Sequence, residues 1–205
     1  MLKKVLLSAV CLVSVAASAI NIADNGLVEA AGIKVAVNAV NRKWAWCSNG
    51  KLKNIKQEKS DNKRTITGTA KLQNSAVTSS QTFTKEADGW YTVDSKFTFE
   101  PAMNMARCGY IIAVDTAKTK VEIDGKKINF GPEDKRKMLF YRKAKKVLVN
   151  VREGESLEIA ALDNVVFVER TKNGAQLVIL FPDSSKDAVT ESSASVKMRP
   201  VKSAE

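Results

Sequence analysis

The chain contains no histidine. That absence removes the Ser-His-Asp and Cys-His catalytic constellations, the histidine-based zinc sites and every imidazole general base. A glycine-rich phosphate loop, a cysteine cluster and an aspartate-rich calcium loop are also missing. Carboxylate pairs exist, such as Asp94 with Glu100 and Asp115 with Glu122, but a chain with 22 acids offers many such pairs. Glycoside hydrolysis needs two carboxyls at a set separation across a cleft, which spacing along strands does not specify. The expectation is a chain that is not an enzyme, with no cofactor and no metal.

Long hydrophobic runs are scarce as well. The one near the start, MLKKVLLSAVCLVSVAASA, sets Lys3 and Lys4 before an apolar stretch from Val5 to Val15, followed by Ala17-Ser18-Ala19. That order is the form of an export signal cleaved after Ala19. The stretch is shorter than the roughly 20 residues a bilayer span needs. Cys11 is a poor lipid-attachment site, because Val10 stands where a small residue is required. A secreted or periplasmic protein without stable membrane insertion is expected, its mature part running from Ile20 to Glu205.

Charge is abundant and one-sided. Taking Lys3 and Lys4 from the formal +11 leaves +9 for the mature part. Between Lys118 and Lys146 stand eleven lysines and arginines against Glu122, Asp124, Glu133 and Asp134. Such a window suits an acidic polysaccharide or an anionic surface; it also fits lysines guarding strand edges. Nucleic acid is not an expected partner, because no recognition motif is present.

Of three cysteines, Cys47 and Cys108 lie in the mature part. An even pair in an exported protein suggests a disulfide, which would close a loop of about 60 residues and stabilise by roughly 4 kcal/mol. The alternative is two buried free thiols.

What the chain does contain is alternation. Ile33, Val35, Val37 and Ala39 interleave with Lys34, Ala36 and Asn38, the period of a half-buried strand. Similar runs recur to Phe181, and no window sustains a 3.6-residue period. Many short strands between turn signals predict an all-β fold, an antiparallel β-sandwich of jelly-roll or Ig-like type. One domain is expected over 20–182, followed by a polar tail, 183–205, in which Val196 to Val201 could supply a last strand. Ser48 to Lys63 reads as a long loop or ragged edge hairpin.

Three turns set register. Asp124-Gly125 suits a type I′ hairpin and places Val121 opposite Ile128 and Glu122 opposite Lys127. Asn173-Gly174 predicts Val168 opposite Ile179 and Phe167 opposite Leu180, a hairpin apolar on both faces. Asp88-Gly89 leads into a strand with Tyr91, Val93, Phe97 and Phe99 on one side and Trp90, Thr92, Asp94, Lys96 and Thr98 on the other. Trp90, with Lys96 on its face, is the leading candidate for ligand contact, since a flat aromatic among hydrogen-bonding groups suits a sugar. Trp44 is a second candidate. Trp46, beside Cys47, is expected in the core, because a sandwich needs large side chains between its sheets.

The succession DGKKINFGPEDKRKMLF, KKVLVNV, ESLEIAALDNVVFVER and AQLVILF resembles the second half of β-sandwich accessory modules attached to secreted glycoside hydrolases of environmental bacteria. It covers Lys120 to Phe181. The resemblance implies a non-catalytic module that binds carbohydrate or packs on a partner domain, and it fixes no binding residue. No catalytic domain follows in these 205 residues, so such a module would bind polysaccharide itself or join a complex. The expected partner is a polysaccharide, with anionic glycans favoured by the basic window. The alternative is a structural or protein-interaction sandwich of the cell envelope that pairs through an exposed edge strand.

Overall fold

Alternating side chains and frequent turns build strands and almost nothing else. The computed structural model describes residues 19–131, 137–152, 154–160, 164–182 and 186–202. Residues 1–18 of the expected signal, with Cys11, lie outside the described residues, as does most of the charged connection from Gly131 to Lys137. The first strands are β1 (Asn21–Ile22), β2 (Val28–Ala30), β3 (Ile33–Asn41), β4 (Trp46–Ser48), β5 (Lys53–Lys59) and β6 (Lys63–Leu72). There follow β7 (Ser75–Lys85), β8 (Tyr91–Met103), β9 (Met105–Val114), β10 (Lys120–Ile123), β11 (Lys126–Lys127) and β12 (Met138–Lys143). The last are β13 (Lys146–Arg152), β14 (Glu155–Ala160), β15 (Val165–Thr171), β16 (Gly174–Leu180) and β17 (Val189–Lys202).

They form two antiparallel sheets packed face to face, a single-domain β-sandwich. One runs β1-β2-β3-β9-β16-β15-β12, with β4 also on β3; the other runs β11-β10-β13-β14-β17-β8-β7-β6-β5. Residues 101–105 are where the chain leaves β8 in one sheet and enters β9 in the other. Between the layers Phe181 stacks on Phe97 at 6.2 Å and meets Tyr110 edge-on at 5.2 Å. The Tyr110 hydroxyl crosses the core to the carbonyls of Val93 (2.7 Å) and Ala194 (3.1 Å), tying one sheet to the other.

Several expectations meet the structure at the level of single pairs. Glu122 faces Lys127 across a turn in which Asp124 and Gly125 both have positive φ, as a type I′ turn requires. The Asn173-Gly174 hairpin is displaced by two residues: Val168 faces Leu177 and Phe167 faces Val178, so the turn is Lys172-Asn173. Gly174 belongs to the strand instead, where a Cβ would stand 2.5 Å from the Val114 carbonyl oxygen. A shift of two keeps every side chain on its expected face.

The possible last strand at Val196 to Val201 is present and starts earlier than expected, at Val189. Most of the polar tail is thus β17, fourteen residues long and paired with β14 on one side and β8 on the other. Ser193, Ser195, Lys197 and Arg199 lie on its outer face, while Ser192, Val196 and Met198 are buried. Ser48 to Lys63 supplies β5, the exposed edge of the larger sheet.

The disulfide is also corrected. Cys47 and Cys108 are free, buried thiols. Both lie opposite Ala39, one on each side of β3. Two strand spacings, about 9.6 Å, separate them, beyond the roughly 7 Å between Cα atoms that a disulfide can span.

Candidate functional site

β3 ends at Asn41, and the chain reverses through Arg42, Lys43, Trp44 and Ala45 into β4. Asn41 is buried, and its side-chain oxygen accepts the backbone N–H groups of Lys43 and Ala45, each at 3.0 Å. The Trp44 N–H donates to the Asn41 carbonyl, and the Asn41 N–H to that of Ala45, both at 3.0 Å. Asparagine suits such a turn because its short amide mimics a backbone acceptor. The closed turn holds Trp44 at φ +62. That left-handed conformation is uncommon for a bulky residue and costs on the order of 1–3 kcal/mol.

The strained residue is an open one. Trp44 is 72% exposed and Trp46 47%. The expectation of a core Trp46 is therefore corrected, and parity gives the reason. Ala39 faces Cys47 inside, so Val40 faces Trp46 outside. Lys51 places its ammonium 3.5 Å from the Trp46 ring centre and donates to the Trp46 carbonyl at 3.1 Å. Arg42 pairs with Asp187 at 2.9 Å, while Lys43 makes no ion pair among the described residues. Aromatic surface and positive charge thus converge on one turn.

Trp90 and Lys96 stand elsewhere, on the outer face of the larger sheet. Here the register aligns hydroxyls and charges in rows: Thr67, Ser80, Lys96 and Ser193 form one, and Thr65, Thr82, Asp94 and Ser195 the next. A shallow depression of about 380 Å³ lies among Ser80, Thr82, Asp94, Lys96, Ser193 and Ser195. Lys96 is paired with Glu191 at 3.0 Å. Trp90 is half-buried, with the Arg199 guanidinium 4.3 Å from its ring centre. Arg199 is itself held by Glu158 at 2.8 Å, and Glu158 also binds Lys146 at 2.8 Å.

Glu86, Glu158 and Glu191 on this face are committed to cations. Hydrogen bonds from Lys197 and then Thr92 hold the Glu86 carboxyl below its ordinary value. Burial pushes Glu158 up, but Lys146 and Arg199 outweigh it and hold it low. The structure does not bring Trp90 and Trp44 together. The turn bearing Trp44 is tied to Asn104, just past the end of β8, whereas Trp90 precedes its start. Thirteen residues of strand lie between, about 40 Å.

Sequence reasoning missed Tyr141, 64% exposed on β12, and a cluster on the outer face of the smaller sheet. There Arg107 reaches Glu169 at 3.4 Å and Gln176 at 3.5 Å, with its guanidinium 5.6 Å from the Phe167 ring centre. The apolar outer positions of the β15–β16 hairpin were the available signal. The thiols offer no nucleophile: burial pushes Cys108 up to about 12 and raises Cys47 as well.

No family model matches the chain, and no curated protein matches it. Among solved structures it is similar to an Escherichia coli K12 protein provisionally assigned as an aldose 1-epimerase. The match has a TM-score of 0.44 and 9% identity, covering 73% of this chain and 69% of that one. The expectation that the chain is not an enzyme is corrected here. The neighbour is named for an enzyme. At this distance the likeness transfers no activity.

Proposed function

We propose that this β-sandwich binds carbohydrate, with anionic polysaccharide as the preferred ligand and the Asn41–Ala45 turn as the contact. The carrying observation is Trp44, held at positive φ by a buried asparagine yet 72% exposed. Strain kept in an exposed aromatic has no packing to repay it and is of use when a ligand arrives. A pyranose ring offers a flat apolar face to an indole, and Lys43 and Lys51 supply charge for uronate or sulfate groups. The N-terminal segment fits export, which puts envelope or extracellular polysaccharides within reach.

Affinity electrophoresis through gels of neutral and anionic polysaccharides tests the reading. Retardation in an anionic gel, lost in Trp44→Ala and kept in Trp90→Ala, supports it. Retardation that survives Trp44→Ala, or mobility unchanged in every gel, overturns it.

A further inference from the structure

On one side of the sandwich both sheets end in strands from the basic window, β11 in the larger sheet and β12 in the smaller. β12 pairs with β15 alone among the described residues. Among the described residues no strand pairs its other edge, a row of backbone donors and acceptors that can template a further strand. Proteins blunt such edges with charges, and β5, at the far edge of the larger sheet, follows the rule. It mixes Lys53, Lys56 and Lys59 with Glu58 and is exposed throughout.

β12 is different in two respects. Its charged residues, Arg142 and Lys143, and the flanking Lys137 and Lys145 are all cations and all exposed. Glu169, which the register sets opposite Met138, and Asp124, beside the turn that follows the strand, are both occupied. Glu169 is held by Arg107 and Gln176, and Asp124 accepts the backbone N–H groups of Lys145 and Lys146 at 3.0 and 2.9 Å. The strand also carries two of the five exposed large hydrophobics among the described residues, Met138 at 41% and Tyr141 at 64%. Three positions apart, these would point to opposite faces of a regular strand. A bulge between Met138 and Phe140 corrects that: Met138 faces Glu169 and Tyr141 faces Phe167, so both lie on the outer face. Tyr141 rests on the buried Phe167 ring, with centroids 6.4 Å apart.

We infer that the open edge of β12 docks an extended acidic segment of a partner protein as an added strand. The segment's carboxylates meet Lys137, Arg142, Lys143 and Lys145, and its apolar side chains lie over Met138 and Tyr141. A second copy of this chain does not fit, since four cations from each strand would crowd eight into one short pairing. A polysaccharide answers the charges but leaves the backbone ladder unmade, whereas a peptide satisfies both.

Binding of a short peptide alternating glutamate and valine tests this, read by fluorescence anisotropy and by hydrogen exchange at individual amides. The expected result is saturable binding with slowed exchange at the outward amides of β12. A peptide alternating lysine and valine should not bind, and Arg142→Glu with Lys143→Glu should weaken binding by about tenfold or more. Trp44→Ala should leave peptide binding as it is, so this docking strand stands or falls apart from the glycan site. Absence of binding overturns the inference. So does binding without protection of β12, binding lost in Trp44→Ala, or equal protection of β12 by an oligouronate. The exchange measurement on the unmodified protein needs no variant to fold.

Discussion

Cys47 and Cys108 face Ala39 from opposite sides within a single sheet, so the strand between them keeps two buried thiols apart. Both should react with a thiol reagent only after denaturant is added, and a reductant should leave the melting temperature unchanged. A melting temperature that falls with reductant would show the bond that this register forbids.

The same burial fixes a pH dependence. Cys108 has a folded-state pKa of about 12 against 9.0 for a free thiol, and burial raises Tyr110 as well. The unfolded chain releases these protons first, so stability is full below pH 9 and falls as pH rises toward 12. The slope reaches about 1.4 kcal/mol per pH unit for each group titrating only in the unfolded chain. Urea midpoints between pH 8 and 11 should decline, and less steeply in Cys108→Ala.

Trp44 should reveal its strain on removal. Glycine adopts φ +62 without penalty, so Trp44→Gly should raise the unfolding free energy by about 1 kcal/mol while abolishing retention by anionic polysaccharide. Asn41→Ala should do the reverse to stability, losing about 1 kcal/mol because two part-buried N–H groups lose their acceptor. Urea unfolding beside affinity electrophoresis checks both.

Strand existence was legible because period-two alternation is local. Ile33 to Ala39 and Tyr91 to Phe99 bury alternate residues as their spelling says. Asp124-Gly125 fixed its register because positive φ at both positions is a local demand, whereas Gly174 is required by the approach of β9 across the sheet. β17 hid for a related reason: its core face carries Ser192 and Ala194, small residues that read as tail until β8 and β14 flank them. In the site, Trp44 was readable as an aromatic among cations. Its display was not, because it depends on Asn41 being buried with an acceptor to spare.

Glu158 links acid stability to Trp90. Its carboxyl is held low, so its contribution is present above the ordinary value of 4.5 and is lost as pH falls through the folded pKa. Glu158→Gln should cost about 1 kcal/mol at pH 7, a modest loss because Arg199 and Lys146 are 37% and 51% exposed. The difference should vanish at pH 2. Trp90 fluorescence should shift in the variant as Arg199 leaves the ring.

Gly109 offers the sharpest packing test. It has ordinary strand geometry, so its constraint is space. A Cβ there would lie 2.6 Å from the Ile179 carbonyl oxygen and 3.0 Å from a Val178 methyl. Backbone cannot yield as a side-chain tip does, so β9 and β16 must part where Leu180 faces Gly109. Arg107, two residues earlier on the same outer face, reaches Gln176, which is paired with Ala113 further along β9. Its side chain must therefore run lengthwise over the bare position at Gly109. Gly109→Ala should cost about 1–3 kcal/mol in urea unfolding, and Arg107→Ala in that background should cost less than it does alone. Full additivity of the two losses would show that Arg107 gains nothing from the missing side chain.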